Sequence, residues 1–128
     1  MGTYLKRRRE NITIGQVLAS VNFDSVTWGP NLDLRSQNSD TRRIFAEIDH
    51  DLQLPGIPKI IENQIYSMDN RWFRDYPAVD AITVGSIGYD NADYCWHRPN
   101  DIPENVPMEC MEPSFLMFRE YIARTEGI

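Results

Sequence analysis

The chain has few cysteines and no long apolar run, and each shortage excludes a class of protein. Two cysteines, Cys95 and Cys110, cannot build the dense disulfide framework of small secreted domains. No stretch approaches the roughly 18 apolar residues of a membrane-spanning helix. No apolar run of about 7–15 residues follows the charged N-terminus, as one would in a signal peptide. We therefore expect a cytoplasmic protein with free thiols and no membrane partner.

Lysine is also scarce. Only Lys6 and Lys59 are lysines among the 13 basic residues, and the others are arginine. Arginine has a planar, weakly hydrated guanidinium that suits interfaces and bidentate pairing. It is enriched at interface cores, whereas lysine is depleted there. The bias is a hint of a protein that works through contact with another protein.

The charge is acidic and unevenly placed. The formal net charge is −6 and the pI about 4.8, which disfavours a nucleic-acid partner because phosphates attract basic side chains. Lys6 to Arg9 form a compact basic run near the N-terminus. Between Tyr76 and Phe118, by contrast, Arg98 is the one cation against seven carboxylates. We expect residues 1–11 to form a flexible basic arm.

The remaining residues, 12–128, are expected to form a single α+β domain. A chain of 128 residues with 41% hydrophobic and 25% charged residues has the usual size and composition of one globular unit. It shows no internal repeat and no low-complexity tract. A chain of this length can bury enough surface to fold without a disulfide or a metal.

Apolar spacing predicts three to four helices. The clearest begins at Ser39 or Asp40 and ends near Leu52, with Ile44, Phe45 and Ile48 on one stripe. The other predicted helices run from Asn11 or Thr13 to Ser20, from Pro58 to Asp69 or Asn70, and from Pro113 or Ser114 to about Gly127. In the last of these, Phe115, Phe118 and Ile122 form the apolar stripe, which Leu116 and Tyr121 widen.

Strand signals are fewer. Ala78 to Tyr89 is the best strand, because it contains the β-branched run from Ile82 to Val84. Weaker strands are predicted from Val21 to Trp28, with a bulge near Ser25, and from Asp93 to Trp96, after a turn at Asp90 and Asn91. Residues 29–39 and the proline-rich residues 97–113 read as loops. The predicted fold is a small mixed domain with its helices packed on a short, mainly antiparallel sheet.

No motif for catalysis, a cofactor or a metal stands above chance. Cys95 and His97 could form a thiolate–imidazolium couple oriented by Asp93, which would suit a small hydrolase or a metal-dependent enzyme. The acidic surroundings oppose this interpretation, because they raise the pKa of a thiol. The spacing also differs from that of a zinc knuckle. We retain the enzyme as the alternative and predict no catalytic, cofactor or metal residue.

The strongest functional signal is aromatic and arginine-rich. One segment lies between the helix predicted from Pro58 and the best strand, and it holds side-chain types enriched at binding hot spots: Arg71, Trp72, Phe73, Arg74 and Tyr76. These residues are predicted to bind a partner, with one aromatic ring anchoring the segment in the core. The sequence favours a small non-enzymatic protein-binding module. Such a subunit, assembly factor or inhibitor, of the size of viral or phage accessory proteins, would bind another protein or itself.

Overall fold

The computed structural model describes residues 19–62, 69–73, 76, 78–89, 95 and 97–125, without the side chain of Trp72. Within these residues the fold is α+β, with four strands and two helices. In chain order these are β1 (Ala19–Phe23), β2 (Asn31–Arg35), α1 (Ser39–Leu52), β3 (Lys59–Ile61), β4 (Asp80–Ile87) and α2 (Met111–Thr125). Two 3₁₀ turns, Asp69–Phe73 and Pro103–Asn105, complete the description. Neither α1 nor α2 has the length and apolar content needed to traverse a bilayer.

The sheet is mixed, not mainly antiparallel as predicted. The strand order is β1-β4-β2-β3. Parallel pairs join β1 to β4 and β2 to β3, and one antiparallel pair joins β2 to β4 at the centre. The expected number of three to four helices is not matched either, because the described residues contain two. The main reason is that two short strands replace other predicted elements. Strand β2 lies in a predicted loop, and β3 lies at the start of a predicted helix.

The best predicted strand is confirmed as β4. Ile82 and Val84 point to the face that carries the helices and are fully buried. Thr83 lies on the opposite face and accepts a hydrogen bond from Asn70. Gly85 marks a close backbone approach, because a Cβ there would lie 2.7 Å from the carbonyl oxygen of Asp24. A larger residue would push the segment after β1 away from β4.

The predicted loop over residues 29–39 is wrong in its first half, where β2 forms the centre of the sheet. Leu32 and Leu34 alternate with polar residues at the strand period of two, and both are buried in the main core. Asp33 faces the other side of the sheet, where it is buried and accepts hydrogen bonds from Arg35. This pairing allows a carboxylate to occupy a central strand.

The predicted helix from Pro58 to Asp69 or Asn70 is wrong at both of its described ends, and residues 63–68 lie outside the described part of the chain. Its beginning is β3, which runs parallel to β2 with Ile60 beside Leu34, and its end is the 3₁₀ turn at Asp69–Phe73. Two adjacent β-branched side chains, Ile60 and Ile61, suit an extended backbone better than a helix. Parallel pairing with β2 then outweighs the helical spacing of the isoleucines.

Helix α1 matches its prediction closely. Asn38, one residue earlier than expected, is the N-cap, and its side chain accepts a hydrogen bond from the backbone N–H of Asp40 at 2.9 Å. Phe45 and Ile48 are buried in the main core. The helix ends at Leu52, followed by Gln53 in the left-handed conformation.

Helix α2 is present as expected, but it begins two residues before Pro113 and buries only part of the predicted face. Ser114, Met117, Phe118 and Tyr121 are buried. Of the predicted stripe, Phe118 and Tyr121 are in the core and Leu116 packs against it, whereas Phe115 and Ile122 are exposed.

Several predictions fall partly or wholly outside the described residues. The basic arm and most of the helix predicted before Ser20 do so, although Ala19 and Ser20 are already in β1. The strand predicted up to Trp28 ends at Phe23, and Ser25 takes a left-handed φ of 57° near the suggested bulge. The hairpin strand around Asp93 also lies outside, while Cys95 itself is helical. Residues 97–110 form the expected irregular segment, with one 3₁₀ turn.

Candidate protein interface

The predicted binding segment lies on the face of the sheet opposite the helices. Phe73 is only 7% exposed and packs with Val79 and Ala81, against which Tyr76 is half-buried. Phe73 therefore takes the anchoring role expected of one ring, while Arg71 is exposed. The other two members of the segment, the Trp72 side chain and Arg74, lie outside the described part of the chain.

A buried amide fixes this segment to the sheet. The Asn70 side chain donates from Nδ2 to Thr83 Oγ1 at 3.0 Å, and the residue is almost completely buried. Its Oδ1 has no hydrogen-bond partner among the described residues, and the same is true of the buried Nδ2 of Asn22. Asn22 is next to Thr83 in the register of β1 and β4. The hydrogen bond from Asn70 to Thr83 therefore holds the 3₁₀ turn against the sheet.

A second polar cluster joins α1 to the sheet. Asp80, at the start of β4, accepts hydrogen bonds from the hydroxyls of Ser36 and Thr41, each at 2.6 Å. The Tyr121 hydroxyl lies 3.4 Å from Thr41 Oγ1. Because Thr41 already donates to Asp80, Tyr121 is the donor in that weaker contact. Burial raises the pKa of Tyr121, which keeps the phenol protonated for this contact. The cluster fastens α1 to the start of β4, and we call it the latch.

Of the residues of the alternative enzyme site, the structure describes Cys95 and His97. Cys95 is half-buried and lines a cavity of about 40 Å³ with Trp28, Tyr89 and other side chains. That volume admits ordered water but is far below the roughly 300 Å³ of a small-molecule site. His97 is exposed with a left-handed φ of 53°, and Asp93 lies outside the described residues. Among those described, no three His, Cys, Asp or Glu side chains are placed to hold a metal.

Near this cavity, Glu109 is tied to its surroundings. Its own backbone N–H and the hydroxyl of Tyr89 hydrogen-bond to the carboxylate, and both lower the pKa of Glu109. The same contact raises the pKa of Tyr89. These two groups thus fix the segment before α2 against the end of β4. They do not offer a free acid–base pair.

A contiguous apolar surface lies on the outer side of α2. Four large apolar side chains line one groove and remain between 41% and 63% exposed: Phe23, Met111, Phe115 and Ile122. We call these four residues the α2 patch. Val26, Ser114, Phe118 and Arg119 complete the lining of the groove, which has a volume of about 440 Å³.

The helix periodicity explains why the α2 patch stays exposed. Arg124 faces α1, where its guanidinium binds Asp51 at 2.9 Å. At about 100° per residue, Phe115 and Ile122 lie roughly opposite Arg124 on the helix. Phe118, between the two sides, packs edge-on against Phe23 with ring centroids 5.1 Å apart. The contact between Phe118 and Phe23 therefore joins the α2 patch to the core.

The size of the patch exceeds that of scattered apolar side chains. With roughly 200 Å² for each full side chain, the exposed fractions of the four residues correspond to roughly 400 Å² of apolar surface. The largest such patch on a monomeric protein is typically about 300–600 Å² and is often functional. Four of the eight large hydrophobic residues that are exposed in the described part of the chain lie here. The exposed apolar side chains are therefore concentrated at this one surface.

Sequence reasoning assigned Phe115 and Ile122 to the core and so missed this surface. The signal that could have found it is the excess of apolar residues on α2, since Met111, Phe115, Leu116, Phe118 and Ile122 cannot all fit one narrow stripe. A surface helix normally carries its apolar residues on one face only. The comparisons with known proteins add no assignment: no protein-family model, curated protein or solved structure matches this chain.

Proposed function

We propose that this chain is a non-enzymatic protein-binding module that works as a subunit of a protein assembly through the α2 patch. The single observation that carries the proposal is the contiguous exposure of Phe23, Met111, Phe115 and Ile122 beside the core. Exposed apolar area of this size stabilises a complex when it is covered, by about 25 cal/mol per Å² before the costs of association.

The shape of the groove favours a protein surface over a small ligand. A small-molecule site encloses most of its ligand and places several polar groups for orientation. Here the lining is almost wholly apolar, with Ser114 and Arg119 as its polar members. The side chains of the α2 patch are about half exposed, so the groove is open along one side. A flat or convex apolar partner fits such a surface.

The segment from Arg71 to Tyr76 is proposed as a secondary contact. Phe73 holds it on the sheet through Val79 and Ala81, while Arg71 is exposed at the surface. A loop anchored by a rigid element commonly carries binding residues. Because this segment lies on the opposite face of the sheet from α2, it would meet a different part of the assembly.

The test is affinity capture from the native host with the full chain as bait. Three baits are compared: the unchanged chain, Phe115→Asp within the α2 patch, and Ile57→Asp as a control. Ile57 is 80% exposed and does not line the groove. We expect the same protein, either another species or the chain itself, to be captured by the unchanged chain and by Ile57→Asp and lost with Phe115→Asp. Equal capture by all three baits would refute the role of the patch.

A further inference from the structure

We infer that the occupant of the α2 patch is a second copy of this chain, whose own α2 packs antiparallel against the first across a two-fold axis near Phe115. This inference rests on the proposed function, because it names the partner of that same surface. It is argued from the order of apolar and charged residues along the exposed side of α2 and from the area that the patch offers.

The apolar residues of the patch are arranged to match themselves in reverse. Phe115 lies near the middle of the exposed side of α2, with Met111 toward one end and Ile122 toward the other. A two-fold axis perpendicular to the helix reverses this order in the other copy. Met111 of one chain then lies within one helical turn of Ile122 of the partner subunit, and the two Phe115 rings meet close to the axis. A symmetric interface requires this kind of self-complementary surface.

The charged residues beside Phe115 are also complementary when the second helix runs in the opposite direction. Glu112 precedes Phe115 by three residues and Arg119 follows it by four, so both are on the same exposed side, two turns apart. Neither forms an ion pair with another described residue of its own chain. In the antiparallel arrangement, Glu112 lies opposite Arg119 of the partner subunit, and the symmetry repeats the pair. The reciprocal pairs would fix the register of the two helices and exclude a parallel arrangement, which would set like charges side by side.

The area available sets the strength of the association. A stable protein interface buries about 800 Å² per partner, and the α2 patch supplies roughly 400 Å² of apolar surface as estimated from its exposed fractions. The flanking polar residues of α2 extend the contact beyond this apolar area. The result is a reversible dimer that forms as the protein concentration rises, not a permanent one.

The experiment measures the mass of the purified full chain by sedimentation equilibrium across a wide range of concentrations around the micromolar level. Five proteins are compared: the unchanged chain, Glu112→Arg, Arg119→Glu, the double reversal E112R/R119E, and Phe115→Asp. Ile57→Asp, outside the patch, serves as the matched control. All substitutions are at exposed positions, so circular dichroism should show the same helix content throughout.

We expect the unchanged chain and Ile57→Asp to pass from monomer to dimer with the same dissociation constant. Each single charge reversal should weaken the dimer about tenfold or more, because it creates like-charge pairs at both ends of the interface. The double reversal should restore most of the loss, and Phe115→Asp should abolish the dimer. Failure of the double reversal to recover would refute the antiparallel pairing.

A monomer at every concentration would overturn the second copy as occupant. Capture from the host then separates the two ideas. If Phe115→Asp still loses a partner of another species that Ile57→Asp retains, the patch is an interface and only its occupant was wrong. If capture is also unaffected, both the inference and the proposed function fail.

Discussion

Helices α1 and α2 are almost equal in length, with 14 and 15 residues, but they use their apolar residues in different ways. In α1, Phe45 and Ile48 are buried, half of the remaining residues are polar and exposed, and Leu52 at its end is the one large apolar side chain left exposed. In α2, Met117 and Phe118 are buried, while Phe115 and Ile122 are left in solvent on the neighbouring side. The fold therefore explains nearly all of the sequence of α1 and only part of that of α2.

The difference separates residues that build the domain from residues available for another role. Single exposed apolar side chains are common on proteins, but a contiguous patch of them is often functional and indicates a role beyond folding. In α1 the outer face has ion pairs instead, such as Arg43 with Glu47 at 2.6 Å. We expect substitutions to sort accordingly, with large effects on stability at inward positions and small ones on the outer side of α2.

The largest effect is expected at the centre of α1. Phe45 is fully buried and contacts the ring of Tyr121, with centroids 5.2 Å apart. Phe45→Ala removes this contact and leaves a cavity, so it should lower the free energy of unfolding by about 3–5 kcal/mol. Urea unfolding followed by circular dichroism measures this directly. The exposed neighbour Glu47→Ala is the control; equal losses at both positions would mean that α1 is not held as described.

The inward side of α2 should come next. Phe118 is largely buried and packs against Phe23 and Tyr121. Because its neighbour Phe23 is itself half exposed, we expect Phe118→Ala to cost about 3 kcal/mol, at the lower end of the range for buried phenylalanine. The same unfolding assay applies. An unchanged melting temperature would show that α2 is peripheral to the core and would remove the contrast between its two sides.

The latch at Asp80 is expected to have an intermediate effect. Asp80→Ala leaves the hydroxyls of Ser36 and Thr41 without their acceptor, which should destabilise the fold by about 1–3 kcal/mol. Asp40→Ala is a matched control, since Asp40 is an exposed carboxylate in the first turn of α1, beside Thr41. If the two variants unfold at the same urea concentration, the latch contributes no more than a surface carboxylate.

A smaller effect is expected at the cap of α1. Asn38→Ala removes the side-chain acceptor of the Asp40 N–H and should cost about 1 kcal/mol. Asn38→Asp keeps an oxygen acceptor at the same place and should recover most of that loss. Thermal unfolding of the three proteins tests this. A loss of equal size in Asn38→Asp would mean that the amide nitrogen, not the cap oxygen, matters here.

The sequence predicted the regular elements whose own patterns are strong. Helix α1 has one apolar stripe and nearby capping residues, and β4 has its β-branched run from Ile82 to Val84, so local preference and tertiary packing agree. The short strands β2 and β3 could not be found in this way. In β2, Asp33 is stabilised by Arg35 and by its place in the sheet, and a parallel pair such as that of β2 and β3 joins residues that are distant in the sequence.

The interface hypothesis came from arginine and aromatic content, and it stays a prediction. The structure adds that Arg71 is exposed and that Phe73 is buried against the sheet. The α2 patch was missed because a stripe of spacing three and four shows that apolar residues share a side, not which of two adjacent sides meets the sheet. That choice depends on the contacts of Phe118 with Phe23 and of Arg124 with Asp51, and both partners lie far from α2 in the sequence.

The central claim is that the outer side of α2 serves association and not the folding of a single chain. The dependence of the melting temperature on protein concentration tests it most directly, because association that involves only folded chains raises the melting temperature as concentration rises. We predict such a rise for the unchanged chain. Phe115→Ser should show none, while its melting temperature should equal that of the unchanged chain at high dilution. A Phe115→Ser variant that melts lower by the same amount at every concentration would place Phe115 in the core and contradict the account.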